Sequence, residues 1–126
     1  MEIEVRHFFD ASHQLPDSEH LVTKACARLH GHTYAVVVTA DTRTLEGGMV
    51  VDFKAIKNAI DVLDHWHINE VFKLYPRWEH CEPTSENIAK FIHAQIESDC
   101  PRLQHVKVAV CEGYKGPERA NWTTYA

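Results

Sequence analysis

The segment Cys26-Ala27-Arg28-Leu29-His30-Gly31-His32 runs directly into residues 33–40 (TYAVVVTA), the most strand-like stretch of the chain. Side chains two residues apart along a strand point to the same face, so His30 and His32 should present two imidazoles side by side. Gly31 leaves the opposite face of the strand open at this point. A metal site built on this pair needs a third ligand from elsewhere in the chain.

Length and composition indicate one globular domain over residues 1–126. The hydrophobic content of 44% and the charged content of 25% are typical of a soluble globular protein. A formal net charge of -5 argues against a nucleic-acid-binding surface, which requires clustered Lys and Arg side chains. The sequence has no apolar run of about 18 residues and no signal-peptide pattern, so we expect a cytoplasmic protein without a membrane partner.

Cysteine and histidine usage points to metal chemistry rather than to disulfides. Without a secretory pattern or close pairing, the four cysteines are expected to be reduced thiols. They are Cys26, Cys81, Cys100 and Cys111. The ten histidines are a high share of 126 residues, which favours a metal site without identifying its ligands.

Alternating apolar residues predict the first half of a sheet. Residues 2–9 predict a strand that runs on to His13, followed by a polar loop over residues 14–25. The turn residues of segment 41–48 predict a hairpin whose returning arm is Met49-Val50-Val51. We therefore expect two or three extended segments before the first helix.

Helical spacing of apolar residues predicts two helices. The first is a helix of about ten residues that begins at Phe53, with Asp52 as its N-cap. The second begins after Thr84, whose hydroxyl is a suitable cap, and ends near Asp99. Residues 64–83 between them lack periodicity and contain two prolines, which predicts a long loop with a functional role.

Two further strands complete the predicted fold. Residues 106–110 (VKVAV) alternate, so the valines should point inward, with Glu112 near the strand end, and residues 122–125 (WTTY) predict a short last strand. The resulting fold class is α+β, an antiparallel four-stranded sheet with two helices on one face. Its unpaired edge strands predict that the sheets of several chains join into a barrel, in a homotrimer or a homohexamer.

His13, at the end of the first predicted strand, is the third candidate ligand. Three histidines from two elements would form an open Zn²⁺ site, because three protein ligands leave a fourth coordination position free. A lone His-x-His pair is more often solvated than metal-bound, but here a thiol, Cys26, lies only three intervening residues before His30. Cys26 either closes a structural site or stands off the metal as a base or nucleophile, and spacing alone does not choose between these roles.

Two carboxylate positions are further candidates. Asp64 and His65 together can move the proton of a nearby thiol, although the pair is also compatible with a histidine stabilised by a helix C-terminus. Glu112 can accept paired N–H bonds from an aminopyrimidinone ring, although most glutamates at strand ends face water.

For the turn Thr84-Ser85-Glu86 the simpler interpretation is a helix cap, which can coexist with a role in binding.

Six separated blocks of the chain occur together, in this order, in one enzyme family. The blocks are Phe9-Asp10-Ala11-Ser12-His13, Cys26-x3-His30-Gly31-His32, Gly48-Met49-Val50-Val51-Asp52-Phe53, Leu63-Asp64-His65 with Asn69, Pro83-Thr84-Ser85-Glu86-Asn87-Ile88-Ala89, and Glu112. In these blocks the chain resembles the 6-pyruvoyl-tetrahydropterin synthase family of tunnelling-fold enzymes.

The resemblance implies a tunnelling fold, a pterin substrate and a role for each candidate residue. The implied Zn²⁺ ligands are His13, His30 and His32. The implied catalytic set is Cys26, Asp64 and His65. The implied pterin anchor is Glu112, with help from the turn Thr84-Ser85-Glu86.

In the three-residue gap between Cys26 and His30, the chain resembles the bacterial 6-carboxy-5,6,7,8-tetrahydropterin synthases of queuosine precursor synthesis. The implied reaction converts 7,8-dihydroneopterin triphosphate to 6-carboxy-5,6,7,8-tetrahydropterin, with release of triphosphate and acetaldehyde. The alternative inside the family is the pyruvoyl-forming synthase, which tends to have a wider gap. Two other classes stay open, a non-catalytic zinc-stabilised interaction domain and a metal-dependent hydrolase that activates water.

Overall fold

Four strands and three α-helices make up the structure, a computed structural model that describes residues 1–126. The strands are β1 (Glu2–His13), β2 (His30–Asp41), β3 (Gln104–Glu112) and β4 (Trp122–Tyr125). The α-helices are α1 (Phe53–Ile60), α2 (Ile68–Lys73) and α3 (Ser85–Asp99). Short 3₁₀ segments cover Lys24–Ala27, Asp61–Leu63 and Pro117–Arg119.

The strands form one antiparallel sheet in the order β1-β2-β3-β4, which confirms the predicted α+β class. In the β1–β2 pair Phe9 lies opposite Tyr34, and His13 lies opposite His30. Because side chains alternate along a strand, the odd-numbered residues of β1 share one face of the sheet with the even-numbered residues of β2. The helices pack on this face, where Val38 is fully buried in the core.

Side-chain caps fix where the two longer helices begin. The Asp52 carboxylate accepts a hydrogen bond from the Lys54 N–H at 2.9 Å, and Thr84 Oγ1 accepts one from the Asn87 N–H at 3.2 Å. Both predicted caps are therefore confirmed. In α3, Ile92 belongs to the fully buried stripe that packs on the sheet. None of the helices has the length and apolar composition needed to cross a bilayer.

The predicted hairpin arm Met49-Val50-Val51 is wrong, because no strand forms there. Met49 and Glu46 exchange two backbone hydrogen bonds of 3.0 Å, which form only an isolated bridge. The two glycines between them have φ values of 59° and 77°, so the chain reverses within two residues. The Arg102 guanidinium then donates to the Val50 carbonyl at 3.1 Å, where a strand partner would otherwise bind.

The predicted loop over residues 64–83 contains a helix, α2, so three α-helices accompany the sheet instead of the two predicted. The six residues of α2 are too few to show a clear apolar periodicity in the sequence. Its buried Ile68, Val71 and Phe72 join the core beside Trp78. Tertiary packing, rather than local propensity, therefore stabilises this helix.

The face of the sheet without helices carries exposed aromatic side chains. Phe8 is 58% exposed and Trp122 is 43% exposed. The Tyr114 ring lies between them, with its centroid 5.5 Å from that of Phe8 and 6.1 Å from that of Trp122. In the single chain the sheet is open, and β1 has no strand partner on its outer side. The barrel of several chains stays a prediction.

Replacing Ile92 by alanine is expected to lower the free energy of unfolding by about 2–5 kcal/mol, because it leaves a cavity between α3 and the sheet. Ser98→Ala, near the exposed end of α3, is the matched control and should change this free energy by less than about 0.5 kcal/mol. Urea unfolding at a fixed protein concentration, followed by circular dichroism, measures both. Equal midpoints for the two variants would contradict the packing described.

Candidate metal centre and active site

Three histidine rings converge at one end of the sheet, on the face that the helices cover. His13 and His30 lie opposite each other in the β1–β2 pair, and His32 follows two residues later on the same face. One ring nitrogen from each lies within 4.8 Å of those of the other two, and His13 Nε2 is 3.0 Å from His30 Nε2. The structure thus brings the three predicted metal ligands together.

Backbone carbonyls orient two of these rings. His13 Nδ1 donates to the Pro83 carbonyl at 2.8 Å, and His30 Nδ1 donates to the Arg28 carbonyl at 2.6 Å. A carbonyl oxygen only accepts, so each Nδ1 carries a hydrogen atom and each Nε2 faces the centre of the cluster. Outer partners of this kind fix the ring orientation of histidines that bind metals.

The donor set suits a divalent metal ion. Burial lowers the pKa of His32, the Glu112 carboxylate opposes this effect, and the other two histidines add to it. His32 is therefore neutral at neutral pH and has a lone pair to offer. Three imidazole nitrogens are a common ligand set for Zn²⁺ and leave one coordination position open. Cys26 is not part of this group, which therefore contains three candidate ligands.

Glu112, at the end of β3, lies against the histidine cluster. Its Oε1 is 3.0 Å from His13 Nε2 and 3.7 Å from His32 Nε2. The hydrogen bond with His13 lowers the pKa of Glu112 and outweighs burial, which raises it, so the group is a carboxylate at neutral pH. Because Nδ1 donates to the Pro83 carbonyl, His13 Nε2 donates to Glu112 only when the ring is protonated, and the neutral ring offers this nitrogen's lone pair to a metal ion. A bound ion would therefore release this carboxylate oxygen for another donor.

The predicted Asp64–His65 pair forms at the outer edge of β1. Asp64 Oδ2 lies 2.9 Å from His65 Nδ1, and Asp64 Oδ1 accepts from the Asp10 N–H at 3.0 Å. The His65 N–H donates to the Asp10 carbonyl at 2.6 Å, and His65 has a φ of 62°, which is uncommon outside glycine. Desolvation raises the pKa of Asp64, but the hydrogen bonds from Asp10 and His65 lower it by more. Hydrogen bonds to the edge of β1 hold this pair, which directly follows the 3₁₀ segment Asp61–Leu63 with Asp64 as its C-cap.

Cys26 lies in the 3₁₀ segment Lys24–Ala27, shortly before β2. Its side chain is half-buried, and its thiol forms neither a disulfide nor a hydrogen bond with the histidine cluster. The thiol also makes no hydrogen bond with Asp64 or His65 within the chain. The catalytic set proposed from the sequence is therefore not assembled by direct contacts, and its roles stay predictions.

The turn Thr84-Ser85-Glu86 caps α3, which confirms the simpler interpretation of its sequence. Thr84 provides the cap, and the carbonyl of the preceding Pro83 holds His13. The start of α3 is therefore attached to the candidate metal centre. The other two side chains of the turn make no hydrogen bond within the chain, and their role in substrate binding stays a prediction.

An open cleft of about 550 Å³ lies at the same end of the sheet. Its lining includes His32, Thr33, Asp10 and His65. Thr33 Oγ1 donates to Asp10 Oδ1 at 2.5 Å, which orders this part of the lining. The lining of the cleft therefore includes both a candidate metal ligand and the candidate acid or base His65.

Some groups of this site carry no signal in the sequence. The carbonyls of Pro83 and Arg28 belong to the backbone, whose partners no side-chain pattern identifies. Tyr34 has a weak signal, because it continues the two-residue spacing of the histidines on β2. Its ring stacks on Phe9 with centroids 4.8 Å apart, and its buried hydroxyl has no partner. Tyr34 thus belongs to the hydrophobic core and borders the cluster, with its ring centroid 5.7 Å from that of His32.

Almost the whole chain matches one known family. The family model described as 6-pyruvoyl tetrahydropterin synthase matches residues 2–123. The chain belongs to this family. The resemblance predicted from the six sequence blocks is therefore confirmed, and the protein is a member of a group of pterin-processing enzymes.

Two relatives and one solved structure show the extent of the family similarity. A Synechocystis sp. protein named 6-carboxy-5,6,7,8-tetrahydropterin synthase is 39% identical over 111 residues, which cover 79% of this chain and 78% of that protein. A Pyrococcus furiosus protein named dihydroneopterin monophosphate aldolase is 31% identical over 100 residues, 76% of this chain and 75% of that protein. The Caenorhabditis elegans 6-pyruvoyl tetrahydropterin synthase structure shares the fold, with a TM-score of 0.66, 24% identity and coverage of 99% of this chain and 94% of that chain.

Replacing His30 by alanine is expected to deplete bound divalent metal, because two imidazoles hold an ion far more weakly than three. The matched control is His80→Ala, since that side chain is 92% exposed and lies outside the cluster. Elemental analysis after zinc loading and desalting should find about one ion per chain in the wild type and the control, and nearly none in His30→Ala. Wild-type stoichiometry in His30→Ala would exclude this ligand assignment.

Proposed function

We propose that this protein is a zinc-dependent 6-carboxy-5,6,7,8-tetrahydropterin synthase. It converts 7,8-dihydroneopterin triphosphate and one water molecule to 6-carboxy-5,6,7,8-tetrahydropterin, triphosphate and acetaldehyde, a step towards queuosine and related 7-deazapurines. The observation that carries the proposal is the convergence of three histidine rings beside the Glu112 carboxylate in a chain of this family. The short gap between Cys26 and His30, and the name of the cyanobacterial relative, favour the carboxy-forming reaction.

The ligands of the zinc ion in this proposal are His13, His30 and His32. When bound, zinc acts as a Lewis acid that stabilises negative charge on the side-chain oxygens of the substrate. The carbonyls of Pro83 and Arg28 support this role, because they hold two of the rings in the orientation that binding requires.

Cys26 and His65 are the proposed proton-transfer groups. Cys26, as a thiolate, takes a proton from the substrate side chain, and His65 returns a proton at another atom. Asp64 supports the second role, because its carboxylate holds His65 Nδ1 at 2.9 Å and leaves Nε2 of the exposed ring for proton transfer. That Cys26 lies outside the histidine group supports a thiol free of the metal.

Glu112 is the proposed anchor of the pterin ring. Its carboxylate can accept two N–H bonds from the aminopyrimidinone edge. The ionised state of Glu112 supports this role, and occupation of His13 Nε2 by a metal ion would make Oε1 available to the substrate. The turn Thr84-Ser85-Glu86 is proposed to add contacts from the start of α3.

We also propose that the sheets of three chains join by their edges into a barrel, as a homotrimer or as two trimers in a homohexamer. The outer side of β1 and the short β4 are the two edges of the sheet in one chain, and both offer unpaired backbone groups. The exposed Phe8 and Trp122 support this assembly, because closure would cover aromatic surface on the face without helices.

Product analysis tests the proposed reaction. Zinc-loaded protein is incubated with 7,8-dihydroneopterin triphosphate, and the products are identified by mass spectrometry. We expect 6-carboxy-5,6,7,8-tetrahydropterin, triphosphate and acetaldehyde. Cys26→Ala should keep its fold and zinc content but lose turnover by at least about 100-fold, because it lacks the proposed proton acceptor.

Each rival function gives a different result in this experiment. A pyruvoyl product, or turnover of dihydroneopterin monophosphate instead of the triphosphate, would show that the protein catalyses a different reaction from the proposed one. Phosphate release that survives Cys26→Ala would indicate a metal-dependent hydrolase. No turnover of any of these substrates by zinc-loaded protein would favour a zinc-stabilised interaction domain, and loss of zinc in Cys26→Ala would make the thiol a ligand.

Glu112→Gln is expected to raise KM for the pterin substrate on the order of 10-fold to 100-fold, because an amide replaces one acceptor of a charged, paired interaction with a donor. Glu118→Gln is the matched control, since that glutamate is exposed and lies outside the candidate site. Steady-state kinetics of both zinc-loaded variants measure the effect. An unchanged KM for Glu112→Gln would remove this residue from the pterin site.

A further inference from the structure

Hydrogen bonds, rather than burial, attach the segment that carries Cys26 to the rest of the chain. No residue of the 3₁₀ segment Lys24–Ala27 is buried. Gln14 Nε2 donates to the Ala27 carbonyl at 2.9 Å. The Leu15 N–H donates to the Cys26 carbonyl at 3.0 Å. The position of the thiol therefore depends on where the chain just after β1 lies.

Asn69, in the first turn of α2, holds that stretch of chain. Its Oδ1 accepts a hydrogen bond from the Gln14 N–H at 2.9 Å, and its Nδ2 donates to the Gln14 carbonyl at 2.9 Å. One side-chain amide thus satisfies both backbone groups of Gln14, as a neighbouring strand does for a residue in a sheet. The two residues lie 55 positions apart in the sequence, so this contact is a tertiary clamp.

The same edge of β1 also holds the proposed acid or base, His65. Residues 64–66 bind the backbone of residues 10–12, and Asn69 continues this contact past the end of β1. The two elements that carry His65 and Cys26 are therefore fixed to one continuous stretch of backbone.

We propose that Asn69 is a positioning residue for Cys26, acting through Gln14; this inference rests on the proposed catalytic role of the thiol. The Asn69 amide holds the backbone of Gln14. It therefore also fixes the two groups that donate to residues 24–27, the Gln14 side-chain amide and the Leu15 N–H. Without the Asn69 amide, the Gln14 backbone loses two hydrogen bonds, and the thiol no longer keeps one position relative to the substrate. A displacement of a reacting group by about 1 Å costs on the order of 100-fold in rate.

Two other roles for Asn69 make different predictions. If the amide served only fold stability, its loss would lower the unfolding temperature and leave the folded protein with wild-type kcat and thiol reactivity. If it acted on the metal through His13, the neighbour of Gln14, its loss would lower the zinc content. The positioning role instead predicts a lower kcat with full zinc content and little change in KM, because Glu112 contacts His13 and His32 but neither Gln14 nor residues 24–27.

The kinetic test compares Asn69→Ala and Asn69→Asp with Asn58→Ala, which removes an exposed amide from α1. Aspartate keeps the size of the side chain but faces the Gln14 carbonyl with a second acceptor, so it should not restore activity. We expect both Asn69 variants to lower kcat on the order of 10-fold to 100-fold, with KM within about two-fold of the wild type. The Asn58→Ala control should match the wild type in kcat, KM and zinc content.

Alkylation of the thiol gives a readout that does not depend on the proposed reaction. Iodoacetamide labelling with peptide mass spectrometry reports Cys26 and Cys81 separately, and the other two cysteines are buried. We expect the Cys26 rate to rise several-fold in the Asn69 variants, because a half-buried thiol becomes more accessible, and the Cys81 rate to stay at its wild-type value. The alkylation rates can be measured even if the wild type does not turn over pterins. The experiment therefore distinguishes an error in the proposed function from an error in the proposed role of Asn69.

Gln14→Ala tests the relay, because it removes the bond to the Ala27 carbonyl and leaves Asn69 in place. It should lower kcat and raise the Cys26 alkylation rate, and its effect should be less than additive with that of Asn69→Ala. If Asn69→Ala does not fold, Gln14→Ala carries the same expectation, since the Gln14 side chain is exposed. Wild-type kcat and alkylation rates in the folded variants, or loss of zinc from them, would overturn the inference.

Discussion

The pairing register of β1 with β2 is the constraint on which the fold and the candidate site both depend. It places His13 opposite His30, and the same alternation places Phe9 opposite Tyr34 at the edge of the core. A shift of the register by one residue would turn His13 to the other face of the sheet. The buried apolar side chains of β1 would turn to that face as well. The hydrophobic core therefore enforces the geometry of the ligands, because twelve paired residues cannot shift without exposing buried surface.

Core and candidate site form one continuous face of the sheet. Val110 of β3 is fully buried, and Glu112, two residues further on, reaches the histidines from the same side. The start of α3 completes this arrangement, since the Pro83 carbonyl holds His13 while Thr84 caps the helix. Each candidate metal ligand therefore stands on a strand whose position packing already fixes, which is the support that a precise site requires.

Periodicity and cap chemistry predict the parts of this structure that are decided locally. The common face of His30 and His32 and the Thr84 cap are examples, because strand alternation and helix ends follow from neighbouring residues. Helix α2 is not predictable in this way, since six residues show little periodicity and packing stabilises them. The Asn69–Gln14 clamp is also hidden, because its partners are distant in sequence and one of them is backbone. The predicted hairpin arm is wrong for a related reason, because the Val50 carbonyl accepts a hydrogen bond from Arg102, which is distant in sequence.

A metal ion bound by the three histidines would link the persistence of the fold to the supply of that ion. The three rings converge only where β1 pairs with β2, so an ion held by all three would bind the folded chain far more tightly than the unfolded one. Binding of this kind shifts the folding equilibrium with the logarithm of the free metal concentration. Under metal limitation the chain would populate open states more often, and proteases degrade such states. The abundance of the protein, and not only its chemistry, would then follow the concentration of the metal ion that the three histidines bind.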